Sequence, residues 1–282
     1  MKKLFTLCLS FFFITLAFAQ NDKKDYQINV ATYNLRMDTP SDGLDAWEHR
    51  KDNVNQLIRF HDFDIFGTQE GFHHQLLDIT SAGDYAYIGV GRDDGKNKGE
   101  HSSIVYKTDR FELLDNGDFW LSETPEEPSY GWDAQIRRIC SWAKFRDKEA
   151  GKEFYFFSLH YDHIAKEARR NSSILLMSKI KEITGDATTF CVGDFNATPE
   201  SEPIQIIYDE NHLKDSYLIS QAKPYGTVGT FNAFKLDAPM KNRIDYVWVT
   251  SDITIEKYGV LNDVHYGHFP SDHFPVMVKA SF

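Results

Sequence analysis

The chain has 282 residues, of which 41% are hydrophobic and 15% aromatic, with a formal net charge of −11. That is enough apolar material for a large core without covalent staples, and three cysteines (Cys8, Cys140, Cys191) are too few for a disulfide framework. An acidic chain with no basic run or stripe is also poorly suited to grip long duplex nucleic acid, which is not expected as a partner.

Lys2 and Lys3 precede an apolar run from Leu4 to Phe18 that ends in Ala17-Phe18-Ala19. A basic start, a short apolar stretch and a small-x-small end predict a secretory signal over residues 1–19, cut after Ala19. The run is shorter than the ~20 residues a membrane-spanning helix needs, and no Cys follows the cut. The product is therefore expected to be exported, periplasmic or secreted, without a stable membrane anchor, and to act as a monomer. Residues 20–282 show no linker, repeat or low-complexity segment and read as one domain.

Residues 27–34 (QINVATYN) alternate and predict a strand. Asp45-Ala-Trp-Glu48 predicts a helix start with Asp45 as N-cap, carried to about His61 by Trp47, Val54, Leu57 and Ile58. Residues 64–70 (DIFGTQE) predict a short buried strand, and 74–79 a short helix. Gly91 to Glu100 is a Gly-rich loop, 102–106 a strand, and 122–135, with Pro125, Pro128 and Gly131, a long ordered loop. Residues 139–146 and 153–160 predict a hairpin turning near Gly151, and 164–183 an amphipathic helix. Strands follow at 189–194, 243–250 and 274–281. Strands and helices mix without strict alternation. The expectation is an α+β fold, a four-layer α/β/β/α sandwich of two mixed sheets flanked by helices, rather than one doubly wound sheet.

Six of these segments meet a polar residue at one end: Asn34, Glu70, His160, Asp194 with Asn196, Asp245, and Asp272 with His273. Singly, each reads as a turn residue or a satisfied structural histidine. Strands that end with such residues and strands that begin with them share one rim if they run antiparallel. A rim so built is rich in oxygen donors and lacks a soft Cys set, which suits Mg²⁺, with Mn²⁺ or Ca²⁺ as alternatives. Beside two histidines and two asparagines, such a cation suits phosphate chemistry.

The motifs TYN (32–34), QE (69–70), SLHYDH (158–163), GDFNATP (193–199), RIDYVWV (243–249) and SDHFPV (271–276) resemble, in order and spacing, the endonuclease/exonuclease/phosphatase superfamily. The segment from FWLSETP (119–125) to GWDAQIRRICSWA (131–143) resembles an exported bacterial branch of that superfamily. The resemblance implies a divalent-metal-dependent hydrolase of a phosphodiester or phosphomonoester. Glu70 would bind the metal with Asn34 beside it, and Asp272 would assist at a second metal position. Asn196 and His160 would hold the phosphate, and Asp245 would fix His273 as an imidazolium. Asp194 and the Asp245–His273 pair are both candidates for the base. Two positions depart from relatives: Leu159 replaces a Thr, and Arg36 stands where apurinic endonucleases carry an acid, so that a cation there is a candidate for substrate phosphate.

Arg138 is a further candidate for the phosphate, and Trp120, Trp132 and Phe231 for an aromatic platform under a base, sugar or lipid. His73, His74, His265 and His268 are expected at the surface, and Asp162 and His163 as braces of their loop. Expected substrates are small or single-stranded: nucleotides, short oligonucleotides, sugar phosphates or phospholipid head groups. A non-catalytic binding protein on the same scaffold would be expected to have lost a site residue, and none of the set is missing. A serine hydrolase would need a G-x-S-x-G elbow, which the sequence lacks.

Overall fold

The computed structural model describes residues 26–282, so the predicted signal at 1–19 lies outside the described residues. The chain opens with β1 (Gln27–Asn34), α1 (Trp47–Phe60), β2 (Ile65–Gln69) and α2 (His73–Thr80). It continues through β3 (Tyr85–Ile88), β4 (Ile104–Lys107), β5 (Phe111–Trp120) and the predicted hairpin of β6 (Ile139–Asp147) and β7 (Lys152–His160). Then come α3 (Lys166–Thr184), β8 (Thr189–Asp194), α4 (Glu202–Glu210), β9 (Lys214–Asp215) and α5 (Ser216–Ile219). The last strands are β10 (Asp245–Val249), β11 (Thr254–Val260) and β12 (Val276–Ser281).

One predicted cap is corrected. Residues 40–45 form a 3₁₀ turn entered through Pro40, so the N-cap of α1 is Ala46, which makes no side-chain cap. Asp45 pairs instead with His268, 2.9 Å from its Nδ1.

The strands form two six-stranded sheets, ordered β11-β12-β1-β2-β4-β3 and β5-β6-β7-β8-β10-β9. The pairs β1–β2 and β7–β8 are parallel. The neighbouring pairs β12–β1, β8–β10 and β6–β7 run antiparallel. Ile28, Val30, Phe154, Phe156, Phe190, Val192, Val247 and Val249 fill the space between the sheets. Outside the first sheet, Ala31, Tyr33 and Phe66 pack with Leu57, Ile58 and Leu76 of α1 and α2. Outside the second, Phe157, Leu159, Cys191 and Trp248 pack with Leu176, Ile180 and Ile204 of α3 and α4. This is the expected four-layer sandwich. Strands covered on both faces must be apolar in both phases, which is why β7 reads FYFFSL without polar alternation. Cys140 and Cys191 are buried free thiols.

The period of two along each central strand delivers the site. On β7 the inward phase runs Phe154, Phe156, Ser158, His160, and on β8 it runs Phe190, Val192, Asp194. On β1 it runs Ile28, Val30, Thr32, Asn34, and on the reversed β10 Val249, Val247, Asp245. Each strand is thus greasy deep between the sheets, β1 and β7 turning polar one inward step early at Thr32 and Ser158, and all four last inward residues fall at one end. Register sets Asp194 directly between His160 and Asp245. A thin polar layer separates core from rim: Thr32 Oγ1 donates to Gln69 Oε1 (3.2 Å), and Gln69 Nε2 to Ser158 Oγ (3.4 Å). The sheets close so tightly here that a Cβ on Gly67 would sit 2.4 Å from Val192 Cγ2 and 2.6 Å from Ser158 Oγ. Only glycine fits at that point.

Candidate active site

At the rim, Asp194 is the hub. Its Oδ2 accepts from Asn34 Nδ2 at 3.0 Å and lies 3.5 Å from His160 Nε2 and 3.7 Å from His273 Nε2. Its Oδ1 accepts from the Asn196 backbone N–H at 2.9 Å. Burial, reinforced by the neighbouring Asp245 charge, pushes its carboxyl up to about 7.

The two histidines are held in opposite protonation states. His273 Nδ1 is 2.9 Å from Asp245 Oδ2. Burial works against its imidazolium, but Asp245 and Asp194 outweigh burial and raise it well above the ordinary histidine value. His160 Nδ1 instead faces Arg138 Nη1 at 2.9 Å. A guanidinium has no acceptor, so Nδ1 must accept, and the ring proton sits on Nε2. Burial and then Arg138 hold His160 well below the ordinary value, so it is neutral. Its Nε2–H faces Asp194 Oδ2 at 3.5 Å, beside the Asn196 Nδ2, a second donor that gives a hydrogen bond to the Tyr161 carbonyl at 3.0 Å. A cationic and a neutral imidazole thus flank one carboxylate oxygen.

Glu70 stands on the other side of Asn34, accepting from Asn34 Nδ2 (3.1 Å) and the Met37 N–H (3.2 Å). Burial disfavours its charge, but His273 and these donors win and lower its pKa. Arg36 Nη1 lies 3.9 Å from Glu70, and its Nε lies 4.0 Å from Asp272. Two bonds of 2.9 Å from Arg36 to Asp42 fix that guanidinium. The backbone at Arg36, Glu70 and Asn196 is left-handed (φ 56°, 62° and 47°), a conformation costly outside glycine and concentrated at functional sites. Arg50 reaches from α1 to brace the rim, donating to the carbonyls of Leu35, Arg36 and Pro270.

Two predicted contacts are placed elsewhere. Arg138 is only 5% exposed and stands behind His160, with Nη2 3.2 Å from His163 Nδ1 and Nε 4.0 Å from Asp162. It orients the histidine and does not open on the rim. Trp120 is also buried, its Nε1 donating to the Arg92 carbonyl at 2.8 Å, so it packs the 91–100 loop and forms no platform. Phe231 does reach the site: it is 41% exposed and packs edge-on against His273, ring centres 5.0 Å apart. His74 is exposed and tied to Asp38, as expected of a surface histidine, whereas His73 is half-buried, bonded to Tyr87 and stacked on His101. Glu100 was not singled out by the sequence. It lies 4.0 Å from His160 Nδ1, 3.9 Å from Arg138 and 2.5 Å from Arg92. Its loop offers no strand-end signal, and only the fold brings it under the histidine.

The donor set fits a hard divalent cation. Four carboxylates (Glu70, Asp194, Asp245, Asp272) are packed together, and the buried Oδ1 of Asp245 makes no hydrogen bond. Asp194, Asp245 and His273 lie with their polar atoms within 4.8 Å of one another, but His273, held as an imidazolium, has no lone pair to offer, so the donors are the carboxylates. Burial, with repulsion from Glu70, pushes Asp272 up to about 6. Without a cation, these two raised carboxyls cost the fold stability as pH climbs from the ordinary carboxylate range towards about 7. A cation displaces their protons. Adding Mg²⁺ to EDTA-treated protein is therefore expected to raise the melting temperature more at about pH 8 than at about pH 5.5. An equal or smaller shift at the higher pH would count against a cation bound at or beside these carboxylates.

Comparison with known proteins gives the same picture. A sequence model described as the Endonuclease/Exonuclease/phosphatase family matches residues 31–273. The crystal structure of an endonuclease/exonuclease/phosphatase family protein from Bacteroides thetaiotaomicron is 45% identical, with a TM-score of 0.89, over 92% of this chain and 99% of that one. The mannosyl-6-phosphatase of Bacteroides thetaiotaomicron VPI-5482 is also 45% identical, with a TM-score of 0.86, over 90% of this chain and all of the other. An uncharacterized protein of Acanthamoeba polyphaga mimivirus is 26% identical over 257 residues, 82% of this chain and 91% of its own length.

Proposed function

The chain belongs to the Endonuclease/Exonuclease/phosphatase family, and we propose that within this group of metal-dependent phosphoric ester hydrolases it is an exported phosphomonoesterase of sugar phosphates that uses Mg²⁺. The observation that carries the reading is the convergence on Asp194 Oδ2 of a neutral imidazole, an imidazolium and an amide, at 3.5, 3.7 and 3.0 Å. That is an arrangement for holding an anion and moving one proton. The monoester preference is supported by the 45% identity to a mannosyl-6-phosphatase over nearly the whole chain. Export is supported by the leader pattern at residues 1–19.

In this reading Glu70, Asn34 and Asp272 hold the cation, which when bound withdraws charge from the phosphoryl group. His160 Nε2–H and the Asn196 amide donate to non-bridging oxygens. Asp194 takes the proton of the attacking water, and the His273 imidazolium, kept charged by Asp245, faces the negative charge that develops. Phe231 offers an apolar wall beside that imidazolium to the alcohol portion.

The test is phosphate release by the chain from mannose 6-phosphate and p-nitrophenyl phosphate, beside hydrolysis of bis-p-nitrophenyl phosphate, with Mg²⁺, Mn²⁺ or EDTA. EDTA-sensitive turnover that favours the monoesters is expected. Turnover of the diester alone would overturn the monoester reading, and no turnover of any ester would overturn the hydrolase reading of these sugar phosphates.

A further inference from the structure

The loop that carries Asn196 and the segment that leads into Asp245 at the head of β10 continue into the walls of a cleft of ≈ 460 Å³. Thr198 lies two residues beyond Asn196 and Asn242 three before Asp245, so the cleft begins within about 7–11 Å of the rim. The rings of Tyr208 and Tyr217 line it, and the exposed side chains of Leu218 and Val228 edge it. The exposed Asn242 contributes a side-chain amide with no hydrogen bond among the described residues.

Charge decides what such a cleft can take. Arg243 is clamped by Asp215 at 2.9 and 2.6 Å and stacked on Tyr217 and Tyr246, so it is committed to the fold. What remains is one exposed cation, Lys241, against one exposed carboxylate, Glu200. A nucleic-acid strand would bring further phosphates and find no set of cations to receive them. An acyl chain would meet amides and charges along its length. A neutral polyhydroxylated ring fits both features: aromatic rings cover its apolar face, while amides and hydroxyls meet its oxygens.

We propose that this cleft is a carbohydrate subsite that binds the neutral sugar unit attached to the phosphorylated one. The inference rests on the sugar-phosphatase reading for its context but is tested apart from it. Binding is read first without turnover, by saturation-transfer NMR on the full chain with an unphosphorylated mannose disaccharide and, separately, with adenosine. Val228→Trp, at an exposed position, occludes the cleft, and Asn242→Ala removes the free amide. Transfer to the disaccharide that disappears in Val228→Trp is expected. Turnover gives the second readout, as the ratio of kcat/KM for a mannose-6-phosphate-terminated disaccharide to that for p-nitrophenyl phosphate. In Asn242→Ala this ratio is expected to fall roughly three- to tenfold, the effect of one lost hydrogen bond. Transfer to adenosine but not to the sugar, or sugar transfer that survives the Trp, would overturn the subsite. Sugar binding without hydrolysis of any ester would leave the subsite standing and remove the sugar-phosphatase reading.

Discussion

Asp194→Asn is expected to lower kcat for the preferred ester by about 10²–10⁴, the range for a lost acid–base group, while the protein keeps or gains thermal stability. The substitution preserves shape, and the single oxygen of the new amide keeps one of the two bonds, that from the Asn196 N–H, while its NH2 replaces the oxygen that accepts from Asn34 Nδ2. It removes one of several crowded negative charges, since Asp194 is pushed up to about 7 by burial and by Asp245. A buried, uncompensated charge is costly, so its removal should not harm the metal-free fold. Steady-state kinetics beside a melting curve separates the effects. A loss below about tenfold with an unchanged fold would move proton transfer to the Asp245–His273 pair.

That residue was legible in the sequence because the fold makes the pattern simple. Asp194, His160, Asn34 and Asp245 are each the final inward residue of a strand that is apolar deep between the sheets, with Thr32 and Ser158 as a polar step just below Asn34 and His160. A run such as TFCVGD therefore announces both a doubly covered strand and the polar end of it. What the sequence could not supply was the direction in which side chains behind that rim point. Arg138 has the composition of a phosphate ligand, yet it lies on the far side of His160, and the choice depends on where Glu100 and Asp162 are brought.

Two of the strands that went unread share a physical cause. β5 (FELLDNGDFW) and β11 (TIEKYGV) are edge strands, with one side unpaired and one face partly open to water, and both are interrupted by a register shift. Charges and a glycine are tolerated there, so the alternation that marks β1 is lost. α4 is short and amphipathic, and its pattern (EPIQIIYDE) resembles a strand followed by a turn until Ile204 and Ile207 are seen to pack together against β10. The cap assigned to Asp45 failed for another reason: a local signal was overridden by the 3₁₀ turn that Pro40 starts.

Asp245→Asn should be nearly as damaging as loss of Asp194, and its pH dependence should identify why. Asp245 is only 1% exposed, and among the described residues its carboxylate makes one hydrogen bond, the 2.9 Å bond from His273 Nδ1. In the wild type, Asp245 and Asp194 hold His273 protonated against the cost of burial. With Asn in place, much of that support disappears while burial remains, so the His273 pKa falls and the ring becomes neutral at a lower pH than before. An amide can also turn its N–H₂ towards Nδ1 and select the wrong tautomer, a change worth about 10⁴ in rate where a histidine depends on such a carboxylate. The expected result is a large loss of kcat at about pH 8 that is partly recovered on acidification towards about pH 6, as the imidazolium is repopulated. Wild-type activity should lack that recovery, because its imidazolium is already formed at the higher pH. A variant profile parallel to the wild type, with a uniform loss at every pH, would mean that Asp245 orients His273 without setting its charge.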